Sequence, residues 1–215
     1  MTIQANPGSG MLRLLRDQRN GLPFLEANAL AESNGSRLAR SREFDEFFSR
    51  IPGPPLTLSN NAWTETILAY PKPRKPVGDS IEWTDIRTGL RYVLDSQDFK
   101  GQKNIALAFD GFKACQDGKT IALIPASGVV AIERFPQESG FYSSDPLTGI
   151  PVDDGSDHRP GYPGTKHLSR DNNDQWVGPI VRSYSRIRIP DNLDLDIYAC
   201  FRPSSNFGVF IAEKS

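Results

Sequence analysis

The pattern of hydrophobic and polar positions changes character near residue 60. Before that point, apolar residues recur at helical spacing in three short segments. After it, short apolar runs rich in β-branched and aromatic residues alternate with clusters of Gly, Pro, Asn and Asp. Helical periodicity followed by strand-and-turn punctuation predicts short N-terminal helices and a strand-rich remainder.

Three helical segments are predicted before residue 52. The first ends at Gly21 and carries a narrow apolar stripe of Met11, Leu14 and Leu15. The second begins near Pro23 and ends near residues 34–35, where Asn-Gly favours a helix stop. Ser41 is the predicted N-cap of the third. Its apolar face has the spacing i, i+3, i+4 and i+7 and comprises Phe44, Phe47, Phe48 and Ile51.

The remainder is predicted to be almost entirely strands. The candidate strands are 62–69, 80–85, 90–95, 103–109, 112–116, 119–125, 128–134, 140–143, 176–189, 193–201 and 207–213. Since no helical period separates them, the pattern favours antiparallel pairing over βαβ units. The predicted fold class is α+β, with short N-terminal helices followed by a predominantly antiparallel β sandwich or partly open barrel.

The turn residues of the C-terminal hairpin predict a specific register for its two strands. A three-residue loop at 190–192 sets Arg188 opposite Asp194 and Arg186 opposite Asp196. A register shifted by one residue would move every side chain to the other face of the strand. The sequence therefore predicts a ladder of opposite charges on this hairpin.

Two further hairpins follow from their turn residues. In the segment 80–95, a four-residue loop ending in Gly sets Trp83 opposite Tyr92. An Asp-Gly dipeptide further on is typical of a two-residue turn, and it sets Cys115 opposite Thr120.

Length and composition indicate one domain. The 215 residues are 38% hydrophobic and 24% charged, values typical of a folded chain with its own core. We expect a loose tail at 1–9, a helical segment at 10–52 packed on the main domain, and a β-rich main domain at 53–215 with a long loop at 153–175. The formal net charge of -1 excludes a global field that recruits nucleic acid.

Cysteine usage and hydropathy point to the cytoplasm. The two cysteines, Cys115 and Cys200, lie in apolar strand-like runs, which predicts buried reduced thiols rather than a metal site. No segment approaches the roughly 18 apolar residues that span a membrane. The N-terminus also lacks the basic-then-apolar order of a secretory signal. A soluble cytoplasmic protein is expected, and no cofactor is predicted.

The long loop is the first candidate site. It contains both histidines and several carboxylates, side chains that ligate divalent metals or act as general acids and bases. Its spacing matches no established metal loop, so a solvated or partner-binding loop is favoured over a metal site or a catalytic site. The residues of this candidate loop site are Asp153, Asp154, Asp157, His158 and His167.

A strand face near the C-terminus is the second candidate. Basic side chains flanking an aromatic resemble a surface for anionic ligands or single-stranded nucleic acid. The predicted charge ladder with Asp194 and Asp196 would neutralise it. This candidate anionic-ligand surface comprises Arg182, Tyr184, Arg186 and Arg188. A separate basic cluster, Arg37, Arg40 and Arg42, lies among acidic residues and is predicted to be a solvated helix surface.

Two functions of different class follow. The favoured one is a non-enzymatic binding or assembly module that engages a macromolecular partner, protein rather than nucleic acid, with self-association left open. The alternative is a metal-dependent enzyme that uses the 153–175 loop. Binding of single-stranded nucleic acid is a minor third hypothesis.

Overall fold

The computed structural model describes residues 12–16, 20–49, 61–70, 80–84, 90–95, 106–117, 120–126, 128–156, 166–169, 176–186, 193–198 and 206–213. Within these residues there are two helices, α1 (Phe24–Ser33) and α2 (Ser41–Ser49). The described strands are β1 (Arg13–Arg16), β2 (Ser36–Leu38), β3 (Asn61–Tyr70), β4 (Ser80–Thr84), β5 (Leu90–Asp95), β6 (Ala106–Asp110), β7 (Phe112–Asp117), β8 (Thr120–Pro125), β9 (Val130–Ile132), β10 (Gly140–Ser144), β11 (Pro151–Val152), β12 (Lys166–Ser169), β13 (Trp176–Arg186), β14 (Leu193–Tyr198) and β15 (Gly208–Glu213).

The strands form two sheets. The larger follows the order β1-β15-β3-β13-β14-β12-β10-β11, with β2 added beside β15, β6 beside β3 and β9 beside β6. The smaller has the order β4-β5-β8-β7. Most pairs are antiparallel, but β15 with β3, β12 with β14 and β5 with β8 are parallel. The α+β class and the dominance of strands are thus confirmed. The sheets are mixed, and across the described strands the larger one does not close into a barrel. The sandwich arrangement stays a prediction.

Each of the predicted strands has an observed counterpart, and four more strands were not predicted. The first predicted helix is wrong: residues 13–16 form β1, which pairs with β15. Two apolar residues per turn leave such a short helix little surface to bury, whereas the edge of β15 satisfies the backbone groups of β1. The other short additions, β2, β11 and β12, likewise form beside existing strands.

The other two predicted helices are confirmed. Helix α1 begins after Pro23, and the backbone N–H groups of residues 34 and 35 return to carbonyls of its last turn. Phe44 and Phe47 of α2 are buried as the spacing predicts. Ser41 is not the N-cap, because α2 begins at Ser41 and the preceding residue, Arg40, accepts the first helical hydrogen bonds through its carbonyl. In the part of the chain that is described, neither helix has the length and apolar character needed to cross a bilayer.

The register of the hairpins is confirmed in one case and corrected in two. Trp83 lies opposite Tyr92, as predicted. In the C-terminal hairpin, Arg186 lies opposite Leu193 rather than Asp196, so the predicted charge ladder is wrong. Strand β13 also pairs with β3 along most of its length, and β14 also pairs with β12. The register of β13 with β14 must be compatible with the pairing of β13 with β3 and of β14 with β12. Loop residues alone therefore do not set this register.

The Asp-Gly hairpin is displaced by two residues from its predicted register. Cys115 lies opposite Ala122, and Asp117 closes the hairpin opposite Thr120. The shift of two leaves each side chain on its predicted face. Cys115 was expected to be buried, but it is a free and exposed thiol on β7.

Strand β3 is buried on both faces. Its odd-numbered apolar residues, Trp63, Ile67 and Ala69, join a core with α1 and part of the smaller sheet. Its even-numbered ones, including Ala62 and Leu68, join one core with α2 and another with β6, β9, β12 and β13. The face that meets α2 also holds two buried hydroxyls, Thr64 and Thr66. The polar site described next includes Thr66, on this face of β3.

Candidate functional site

The start of α2 is held against the sheet by polar contacts on two sides. The backbone N–H of Ser41 donates to Thr66 Oγ1 on β3 at 3.0 Å. The Ser41 hydroxyl donates to the carbonyl of Gly149 at 3.3 Å and accepts a hydrogen bond from Arg182 at 3.2 Å. Ser41 therefore joins three separate parts of the chain, and its side chain points into the core instead of capping the helix.

Arg182 is the most deeply buried charged group in the described structure. Its side chain has no exposed surface and forms an ion pair with Asp45, which itself remains 23% exposed. Arg182 also donates to the carbonyl of Gly149 at 3.4 Å. It lies opposite Ala62 of β3, on the sheet face that α2 covers, and this placement explains its burial. A buried charge of this kind requires a partner, which Asp45 supplies from the helix.

A second charged cluster lies beside β2 and the start of α2. Arg37 forms a bidentate pair with Glu43, at 2.9 and 2.5 Å, and contacts Glu65 at 3.2 Å. Arg40 Nε lies 3.6 Å from Glu65 and 3.7 Å from Asp110. Each of these side chains is 12–23% exposed. The prediction that Arg37 and Arg40 form a solvated surface is therefore wrong.

The pKa values of the two glutamates in this cluster are shifted in opposite directions. Burial would raise the pKa of Glu43, but hydrogen bonds from Arg37 and from the Arg40 backbone lower it below its ordinary value. Burial raises the pKa of Glu65; the arginines oppose this, while Asp110 and Glu43 reinforce it. The pKa of Arg37 is raised, because its hydrogen bond and ion pair with Glu43 outweigh the effect of burial. The cluster holds two arginines and three carboxylates, and burial makes the anionic form of Glu65 less favoured than that of Glu43.

The spacing of this cluster contains a signal that could have been recognised. The backbone N–H of Arg40 donates to the Glu43 carboxylate at 2.8 Å, which is half of a capping box. An acidic residue three positions after a helix start is the sequence mark of that motif. The partners Glu65 and Asp110 come from β3 and β6, and only the pairing of those strands brings them beside Arg40.

The turn at 145–149, between β10 and β11, is folded by its own first residue. The carboxylate of Asp145 accepts hydrogen bonds from the backbone N–H of Leu147 at 3.1 Å and from the N–H and hydroxyl of Thr148, both at 2.8 Å. The Gly149 N–H donates to the Asp145 carbonyl at 2.7 Å. Gly149 has a φ of 70°, a conformation that glycine adopts without strain.

The same turn is held from outside by α2 and β13. Arg42 donates to the Leu147 carbonyl at 3.3 Å, and the Gly149 carbonyl accepts from both Ser41 and Arg182. A Cβ atom on Gly149 would lie 2.8 Å from the backbone nitrogen of Arg42, so the helix approaches this point closely. Despite this, Leu147 is 67% exposed. The turn is thus a fixed platform that presents one apolar side chain to solvent.

The predicted loop site is only partly described. Asp153 and Asp154 are exposed and close local turns, accepting from the N–H groups of Gly155 at 3.0 Å and Ser156 at 2.9 Å. Asp154 also accepts from the Ser143 hydroxyl at 2.6 Å. These contacts are those of turn-forming aspartates, and both carboxylates already serve the local backbone.

The histidines are not brought together by anything described. Asp157 and His158 lie outside the described residues, and His167 is placed on β12 opposite Phe141 with its side chain undescribed. Within the described ranges, no three His, Cys, Asp or Glu side chains are grouped so as to hold a metal ion. The metal site in this loop stays a prediction.

Of the predicted anionic-ligand surface, the structure describes the side chain of Arg182 alone. Arg182 is buried against Asp45 and is not available to a ligand in solvent. Tyr184 and Arg186 follow it on β13, opposite Leu195 and Leu193 of β14. Arg188 lies outside the described residues.

The sequence predicted neither Arg182 as a core residue nor Ser41 and Asp45 as its partners. Across the described residues the fold is a strand-dominated α+β arrangement with two helices and a buried arginine network at the helix–sheet junction. The chain shows no significant match to a protein-family model, a curated protein or a solved structure.

Proposed function

We propose that this chain is a non-enzymatic binding or assembly module that engages a protein partner through the 145–149 turn, with Leu147 as the apolar anchor. The observation that supports this proposal is the contrast between the turn and its side chain. The backbone of the turn is hydrogen-bonded from within and from α2, yet Leu147 is 67% exposed.

Exposed apolar residues are common on protein surfaces and by themselves need no explanation. Leu147 differs because it is the most exposed large apolar residue that the structure describes, at 67% against 39% for Ile124 and Val130, and the backbone that carries it is already hydrogen-bonded. A preorganised anchor loses little conformational freedom on binding, so more of the burial energy appears as affinity. Full burial of a leucine contributes about 1.5–3 kcal/mol, and two-thirds of that remains available here. A partner that covers Leu147 would gain about 1–2 kcal/mol, or roughly 5- to 30-fold in Kd.

The charge networks support the same proposal because they hold α2 and the 145–149 turn in place. Three of the described arginines are engaged with carboxylates of the chain itself, namely Arg37, Arg40 and Arg182. The nucleic-acid hypothesis loses Arg182, and the metal-dependent hypothesis depends on His158 and His167, whose side chains lie outside what is described.

Affinity capture with matched baits tests the proposal. The baits are the wild type, Leu147→Ser, and the control Val130→Ser, which alters another exposed apolar side chain, 39% exposed on β9. We expect a protein that is retained by the wild type and by Val130→Ser and is lost with Leu147→Ser. Its Kd, measured with purified components, should rise about 5- to 30-fold in Leu147→Ala. A partner set that is identical for all three baits would contradict the proposal.

A further inference from the structure

Among the described strands, β7 lies at the end of the smaller sheet. Within the described residues β7 pairs with β8 alone. Its first residue, Phe112, is anchored in the core 5.3 Å from the ring of Phe24. The next three residues, Lys113, Ala114 and Cys115, are all exposed. Successive side chains of a strand point to opposite faces, so both faces are open here.

The hydrogen-bond pattern shows which backbone groups face outward. The N–H of Ala126 donates to the carbonyl of Gly111 at 3.1 Å, in line with the register of β7 and β8. Bonded positions alternate along an antiparallel pair, so Lys113 and Cys115 direct their backbone groups toward β8. Ala114 and Gln116 therefore direct N–H and C=O groups toward the open edge.

The sequence of β7 is complementary to itself in one antiparallel register. Outward-facing positions must meet outward-facing positions, and pairing Ala114 with Gln116 of a second copy satisfies this condition. Cys115 then meets Cys115 of the second copy, and Lys113 meets Asp117 twice. A register centred on Gln116 would instead oppose Lys113 to another lysine, Lys119. Opposite charges across strands stabilise a pair and like charges destabilise it, so the register centred on Cys115 is favoured.

The neighbouring strand supplies apolar surface beside this edge. Ile124 lies directly opposite Lys113 on β8 and is 39% exposed. A second copy docked on β7 would bring its own Ile124 to the same face. An open edge with adjacent apolar surface is the kind of strand that pairs with another chain.

We infer that β7 is a self-association edge: two copies of the chain pair antiparallel about Cys115, and their smaller sheets join across a two-fold axis. The interface is isologous, since the same strand serves both copies. It uses a surface remote in sequence from the 145–149 turn and stands independently of the proposed function.

Disulfide trapping tests the register directly. In a Cys200→Ser background, copper–phenanthroline as the oxidant should link Cys115 to Cys115 of a second copy, because facing residues of a non-hydrogen-bonded pair lie at about 4.5 Å, within disulfide range. The matched control moves the thiol by one residue: Ala114→Cys with Cys115→Ser and Cys200→Ser. In the inferred register residue 114 faces Gln116, so we expect the control to be trapped at least about tenfold more slowly. Equal trapping of the two variants would overturn the register.

A charge exchange tests the interface without oxidation. Lys113→Asp and Asp117→Lys each replace two attractive pairs by two repulsive ones, so the dimer dissociation constant measured by light scattering should rise about tenfold or more. Mixing the two variants restores opposite charges at every position, and a heterodimer should form. Far-UV circular dichroism confirms that each variant is folded. A wild type that stays monomeric at all concentrations, or variants that dimerise like the wild type, would refute the inference.

Discussion

The buried pair of Arg182 and Asp45 makes a prediction that depends on their unequal burial. Arg182 has no exposed surface, whereas Asp45 is 23% exposed. Asp45→Ala leaves a guanidinium in the core without a counter-charge, and an uncompensated buried charge costs about 3–5 kcal/mol. Arg182→Met leaves instead a carboxylate that reaches solvent and retains a contact with the Ser144 hydroxyl at 3.4 Å. We expect this second variant to cost only about 1–3 kcal/mol.

Urea unfolding at neutral pH measures both variants. With a slope of about 2 kcal/mol per molar urea, the midpoint should fall by about 1.5–2.5 M for Asp45→Ala and by less for Arg182→Met. The double variant removes both charges, and its loss should be smaller than the sum of the single losses, because the two groups interact directly. If Arg182→Met is the more destabilised variant, or if the losses simply add, the reasoning from burial is refuted.

Other predictions concern the same region. Glu43→Gln should lower the free energy of unfolding at neutral pH. The lowered folded pKa of Glu43 contributes stability above pH 4.5, and this contribution is lost as the pH falls through the folded value. The difference in unfolding free energy between wild type and variant should therefore narrow below pH 4.5. Glu65→Gln should show the opposite trend, because the raised folded pKa of Glu65 lets wild type gain relative stability as the pH falls toward 4.5. Gly149→Ala should lower the melting temperature more than Gly155→Ala; both have positive φ, but only Gly149 would place its Cβ within 2.8 Å of another backbone atom.

Controls distinguish these outcomes from general loss of structure. Unfolding free energies of wild type, Glu43→Gln and Glu65→Gln should be compared at each pH in the same buffer. Parallel curves for the two glutamate variants would contradict the opposite pKa shifts. Equal melting temperatures for the two alanine variants would show that Gly149 does not need its close approach to α2.

Local periodicity predicted the elements well because their determinants lie close together in the chain. The spacing of Phe44 and Phe47 places both on one side of α2, wherever that helix packs. The loop that connects β4 to β5 is short, so it determined the facing pair Trp83 and Tyr92. Segment 13–16 failed for the opposite reason: its conformation depends on β15, nearly two hundred residues later.

The candidate site was not predictable from the same information. Arg182 lies in an alternating strand that reads as half exposed, and only the docking of α2 on that face buries it. The sequence predicted an exposed basic strand, and the structure shows that the first arginine of this strand, Arg182, is buried and paired with Asp45.

The sequence by itself determined where eleven of the described strands and both described helices occur, because propensity, periodicity and turn chemistry act over a few residues. Tertiary structure decided the register of β13 and β14, the burial of Arg182 and the exposure of Leu147 and Cys115. Each of these depends on which distant segment covers a given face. The free energy of burying or exposing a side chain depends on that long-range contact, so local sequence patterns do not predict it.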